Sequence, residues 1–225
     1  MLIFFAGTLL LILSWVFLWL NRRRWSQILQ IGWVSLLIIW LNQEANFFNL
    51  GRDEEGLLKW IGLGLLFVLL AILSQFLGKS TNFSRIFYGL SALSYALALD
   101  VFRPDEYGYF PAAIIAAMVL LVALRIIQRL QKATGFNITQ ISPLVLLPSL
   151  MLYASFYKLF DRNWVLPWSY LMAAGISLFA ISQLWQAWSD FELSDDLWRK
   201  RIALSLGIGN NLIAMSALYH YSQYF

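Results

Sequence analysis

The chain reads as a succession of long apolar runs separated by short polar stretches. The first, Leu2–Leu20, carries no charge and ends at Arg22, Arg23 and Arg24. The basic triplet follows the apolar run instead of preceding it, so this run is expected to stay as a span and not to act as a cleavable signal peptide. Further runs lie at about Trp25–Leu41, Leu57–Leu77, Ile86–Phe102, Phe110–Ile127, Ile141–Phe160, Val165–Trp188 and Ile202–Tyr221. Each approaches the roughly 20 residues a helix needs to cross a bilayer core. The pattern predicts an all-α integral membrane protein, a bundle of about eight transmembrane helices. Little chain is left outside the spans, so a single polytopic domain over residues 1–225 is expected. The short connections suit antiparallel neighbours. Pro148 removes a backbone hydrogen bond inside the sixth run and should kink it. Pro167 is expected in the first turn of the seventh.

Composition agrees with this reading. Hydrophobic residues make up 60% and charged residues 12%, against the roughly 25% charge that covers a soluble domain. The charges are sorted by connection. Arg22, Arg23, Arg24, Lys79, Arg85, Arg125, Arg129, Lys132, Arg199, Lys200 and Arg201 fall on connections one, three, five and seven, 11 of the 16 basic residues. Arg52, Lys59, Arg103, Lys158 and Arg162 fall on the even ones. Basic loops stay cytoplasmic, so a multi-pass protein of the plasma (inner) membrane is expected, with both termini non-cytoplasmic. The net charge of +4 is spread by membrane side and gives no nucleic-acid patch. Most of the tryptophans, among them Trp15, Trp19, Trp25, Trp40, Trp60, Trp164 and Trp168, sit near run ends, where indoles anchor helices at the headgroups.

The groups able to carry chemistry are few. There is no cysteine, and His220 is the single histidine, so thiolate chemistry is excluded and neither a metal site nor a cofactor is expected. Polar side chains within a span are expensive to expose to lipid and should face the bundle interior. They are Asp100, Gln75, Gln183, Gln186, Asn210, Asn211, Lys158, Tyr95, Tyr153 and Tyr157. Lys158 and Lys59 are near span ends and can snorkel. In the fourth run Gly89, Ala92, Ala96 and Asp100 share a helical face. In the seventh, Gly175, Ser182, Gln186 and either Phe179 or Gln183 share one. In the eighth, Gly207, Asn210, Asn211, Ala214 and Ala217 do so. These stripes are either close helix packing reinforced by amide hydrogen bonds or the walls of one polar pocket. Asp100 is either an interfacial partner of Arg103 or a general acid whose pKa burial has raised. The fourth and seventh runs also echo each other faintly, GLSALSYALALD from Gly89 against GISLFAISQLWQ from Gly175.

From the sixth run onward the chain resembles the lysoplasmalogenase (YhhN-like) family of eight-span membrane proteins. The family's penultimate helix reads approximately G-x-x-x-F-x-x-S-D with a further Phe. Here Gly175, Phe179, Ser182 and Phe191 stand in a GISLFAISQLWQAWSDF run. The last helix of the family carries an A-Q-x-L-I-A-x-S-like run. The matching stretch here is GNNLIAMS, with Asn210 in place of the Gln and with Leu212, Ile213 and Ser216 retained. Pro148 and Tyr153 resemble the proline and tyrosine of the preceding helix. The resemblance covers about the last 80 residues.

That resemblance implies a lipid-handling hydrolase that adds water to the vinyl ether of a lysoplasmalogen, releasing an aldehyde and a glycerophospho-headgroup. Such chemistry needs a proton donor and a group that aligns water. Here the family's S-D pair is Ser182-Gln183, Leu97 occupies the position of an earlier aspartate, and a histidine of the next helix is missing. Asp100 is then the one candidate catalytic residue. Ser182, Gln183, Gln186, Asn210, Asn211 and Tyr153 are candidate binding residues for a membrane lipid or lysophospholipid. A diverged or inactive lipid-binding relative is the expectation that follows. The alternative is a non-enzymatic subunit of a larger membrane complex, suggested by the high aromatic content and the scarcity of reactive groups. A solute transporter would show discontinuous helices and midplane charges, which are missing apart from Pro148 and the polar stripes.

Overall fold

The computed structural model describes residues 1–45, 56–78, 81–99, 109–134, 138–159, 166–191 and 196–224. These residues form eight helices and no strand: α1 (Leu2–Trp19), α2 (Arg23–Ala45), α3 (Gly56–Phe76), α4 (Thr81–Ala98), α5 (Tyr109–Thr134), α6 (Ile138–Lys158), α7 (Trp168–Phe191) and α8 (Asp196–Tyr224). The all-α expectation and the element order hold. Among the described residues, four stretches are long and apolar enough to cross a membrane: Leu2–Trp19, Arg23–Glu44, Gly56–Phe76 and Lys200–His220. A shorter apolar stretch, Val145–Tyr157, lies in α6. The chain divides into two compact units, Met1–Ala98 with Ala217–Phe225, and Leu99–Ser216.

In the first unit α1 packs on α2, α2 on α3 and α3 on α4. The turn between α1 and α2 follows from three residues. Asn21 adopts a left-handed φ of 58°, a conformation its short polar side chain tolerates better than most. Its N–H donates to the Leu18 carbonyl at 3.1 Å and that of Arg22 to the Phe17 carbonyl at 2.9 Å. This paired arrangement satisfies carbonyls that a helix end would otherwise leave open. The chain therefore reverses at once into α2, with the Arg22 carbonyl accepting from the Ser26 N–H at 3.1 Å. The two helices run antiparallel: Met1 pairs with Glu44 at 3.3 Å, the Phe4 ring lies 4.6 Å from that of Trp40, and Gly7 faces Trp33.

Trp40 and Trp33 are both buried. The anchoring expectation for Trp40 is thus replaced by core packing, because Phe4 and the start of α1 cover it. Trp19, Trp25 and Trp60 are exposed, as membrane anchors require. In α3 and α4 the Tyr95 ring lies flat on Gly64. A methyl group at Gly64 would fall 2.6 Å from Tyr95 Cδ1 and 3.0 Å from Cζ. A hydrogen bond joins Gln75 to Tyr88 across the same pair.

In the second unit α5 packs on α6 and α6 on α7. Ala123 and Ile127 of α5 bury against Val145 of α6, with Ile126 and Leu184 closing the cluster. Helix α6 is continuous across Pro148, where Ser149 Oγ donates to the Val145 carbonyl at 2.7 Å. Pro167 precedes α7 instead of standing inside its first turn, and its carbonyl accepts from the N–H groups of Tyr170 and Leu171. The run boundaries also shift. Helices α2, α4, α5 and α8 begin or end several residues outside their apolar runs, since Arg, Lys and Gln continue a helix nearly as well as Leu or Met.

Candidate functional site

The polar stripe of the second unit is built around one helix crossing. Gly175 of α7 and Gly209 of α8 meet backbone to backbone. A Cβ on Gly175 would lie 2.9 Å from the Gly209 carbonyl oxygen and 2.9 Å from the Ile213 nitrogen. A Cβ on Gly209 would lie 2.8 Å from the Gly175 carbonyl oxygen and 2.9 Å from the Phe179 nitrogen. Contact this close requires two residues without side chains, the same device by which small residues let membrane helices associate. Farther along the antiparallel pair, Ser216 Oγ donates to the Trp168 carbonyl at 2.6 Å.

Of the residues that carry the family resemblance, Gly175, Phe179, Leu212, Ile213 and Ser216 lie along this α7–α8 contact. Gly175, Phe179, Ile213, Ser182 and Ser216 are all buried. Most of their polar groups are satisfied locally. Ser182 Oγ donates to the Phe179 carbonyl at 2.6 Å, and Asn210 Nδ2 donates to the Leu206 carbonyl at 2.7 Å. These bonds return to the residue's own helix, so they keep polar atoms off an apolar interface without joining the helices. Of the two readings of the α7 and α8 stripes, close packing describes Gly175, Gly209 and Ser216.

Gln183 differs. Its Nε2 is buried and has no hydrogen-bond partner among the described residues. A buried amide nitrogen left unpaired costs about 1–3 kcal/mol, so the position favours whatever acceptor can reach it. Gln186 on α7 and Asn211 on α8 are both half-buried. Tyr153 of α6 is half-buried, with its ring 6.3 Å from that of Tyr157.

The candidate acid, Asp100, and its neighbour Arg103 lie outside the described residues, as does the Lys158 side chain. On α4, Ala92 and Ala96 are buried, as are Ser91, Ser94 and Tyr95 around them, while Gly89 and Leu97 are half-buried. Among the described residues no group of three or more His, Cys, Asp or Glu side chains is placed to hold a metal. Sequence reasoning missed Gly209 and Gly64, the two glycines whose partners are most sharply defined. Gly209 stands two residues after Gly207, which the stripe included, and positions two apart point to different sides of a helix.

No protein-family model, curated protein or solved structure matches this chain.

Proposed function

We propose that the chain is an eight-span protein of the plasma (inner) membrane with both termini non-cytoplasmic. In this reading it is a diverged relative of the lysoplasmalogenases that holds a lysophospholipid without cleaving it. The observation that carries the functional part is the Gln183 amide. It stands where the family resemblance calls for a carboxylate, and its buried nitrogen has no partner among the described residues. An amide donates a hydrogen bond to a phosphate, glycerol or ether oxygen. It exchanges no proton at neutral pH, so it binds such a group without acting as the acid that vinyl ether hydrolysis needs. Half-buried Gln186 stands three residues farther along the same helix, whereas Ser182 and Asn210 are fully buried and bonded within their own helices, so they offer a ligand no free donor.

The span count rests on the eight apolar runs, and the orientation on the charge distribution. Arg22, Arg23 and Arg24 are exposed at the α1–α2 turn, and Arg125, Arg129 and Lys132 are exposed toward the end of α5, both on connections assigned to the cytoplasm. The direct test is aldehyde release from a lysoplasmalogen by the purified protein. Release at or near the uncatalysed rate is expected. If Asp100 is instead a working acid, turnover is measurable and Asp100→Asn abolishes it. Robust turnover that survives Asp100→Asn defeats both versions.

A further inference from the structure

Helix α5 presents one continuous outward face that changes character along its length. Ile114, Met118 and Leu121 are exposed, the last two at 62% and 65%. Arg125, Arg129 and Lys132 continue the same face and are exposed as well. At 100° per residue these six positions fall within about 80° of one another. Ala123 and Ile127, which pack against α6, lie on the opposite side. Gln128, also exposed, stands beside the cations with a neutral amide. The helix contains no acidic residue, and none of the three cations pairs with a carboxylate among the described residues.

The distances fit a phospholipid. From Ile114 to Arg125 the helix rises roughly 16 Å, close to the ~15 Å half-thickness of a bilayer core. Arg125 to Lys132 spans about 10 Å more, slightly beyond the ~5–7 Å headgroup layer. An acyl chain can therefore lie along Ile114, Met118 and Leu121 while its phosphate meets Arg125 and Arg129. A guanidinium offers two parallel donors to a phosphate, which a point charge does not. We propose that this face of α5 is a binding site for an anionic phospholipid of the surrounding membrane. The proposal rests on the eight-span reading given above but not on any lipid-handling activity at Gln183.

The arginine triplet at the α1–α2 turn is the natural control. Arg22, Arg23 and Arg24 carry the same charge and are equally exposed, but consecutive residues point about 100° apart around a helix and cannot line one face. The experiment is native mass spectrometry of the full chain in neutral detergent. Phosphatidylglycerol and phosphatidylcholine of identical acyl chains are supplied in equal amounts. Each cation near a charged surface is worth on the order of fivefold in partitioning. Two acting on the phosphate with a third within a Debye length, partly screened, should give roughly tenfold more phosphatidylglycerol than phosphatidylcholine adducts.

Replacing Arg125, Arg129 and Lys132 together by Gln should lower that preference to about twofold or less. Replacing Arg22, Arg23 and Arg24 by Gln should leave most of it. A wild-type protein without preference overturns the proposal, and this holds even if the α5 variant fails to fold. An equal loss from both triple variants overturns it too, because the effect would then be net charge. Failure of the eight-span reading shows separately: the single-cysteine variants Tyr109→Cys and Lys132→Cys, toward the two ends of α5, would then label from the same side of the membrane.

Discussion

Replacing Gly175 by alanine tests the α7–α8 crossing with a single methyl group. The new Cβ would sit 2.9 Å from three atoms, the Gly209 oxygen, the Ile213 nitrogen and Leu212 Cβ, where ordinary contacts begin near 3.4 Å. Two of the three are backbone, so relief requires the helices to part by at least about half an ångström. Overpacking of this kind costs about 1–3 kcal/mol. Parting also weakens the dispersion contacts along the seam, since a gap of 0.5–1 Å forfeits roughly a quarter to a half of each. It stretches the Ser216–Trp168 bond as well, worth about 0.6–1 kcal/mol. Against these stands a gain of up to ~1 kcal/mol from the better helix propensity of alanine. The net is a loss of about 1–3 kcal/mol, or roughly 3–10 °C in melting temperature for a chain of this size.

The assay is thermal unfolding in detergent followed by size-exclusion fluorescence. Two variants bracket the result. Gly56→Ala places its methyl where no atom lies within 4 Å and should be neutral. Ser216→Ala removes the hydrogen bond alone and should cost less than Gly175→Ala. A Gly175→Ala protein as stable as wild type would refute the close crossing.

Other outcomes follow from the same structure. Gly64→Ala should destabilise at least as much as Gly175→Ala in the same melt, because the fully buried Tyr95 ring cannot withdraw. The absence of native cysteine makes single-cysteine mapping direct. With a membrane-impermeant maleimide on intact cells, Phe225→Cys should label and Arg23→Cys should not; the reverse would invert the topology. Gln183→Asp alone should not restore aldehyde release, because Leu97 supplies no second carboxylate. Turnover from that variant would show that one acid suffices.

The hydrophobic pattern sufficed to place the helices, because a run such as Leu57–Leu77 has no other stable form in a bilayer. Their partners were harder to read. In a water-soluble helix one apolar face points to the core, but α1 is apolar all round, so its sequence does not say that Gly7 faces Trp33 while Leu2, Phe5 and Leu9 face outward. Small residues carried what information there was. The stripes on the fourth, seventh and eighth runs left close packing and a shared pocket both open, and the α7–α8 contact falls on Gly175, which a stripe contained, and on Gly209, which none did. Tyr95 entered as a polar candidate, and the structure makes it a core residue seated on Gly64. The tight α1–α2 turn was visible only as a basic triplet, because the signal for it is the left-handed Asn21. For the candidate site, the proposal that Gln183 stands in a carboxylate's place rests on the resemblance alone. The burial of its amide nitrogen depends on tertiary packing, which no spacing encodes.

The central functional claim is that this chain holds a lysolipid and leaves it intact. The most direct measurement is equilibrium binding of a lysoplasmalogen to purified protein, followed by extraction and analysis of the bound lipid. Saturable binding is expected, with the vinyl ether recovered whole. Gln183→Leu should weaken that binding by roughly three- to thirtyfold, the equivalent of losing one buried hydrogen bond to a charged or strongly polar group. Recovery of aldehyde in place of intact lipid would contradict the claim. Binding that is absent, or indifferent to Gln183→Leu, would contradict it equally and leave α7 and α8 as packing elements alone.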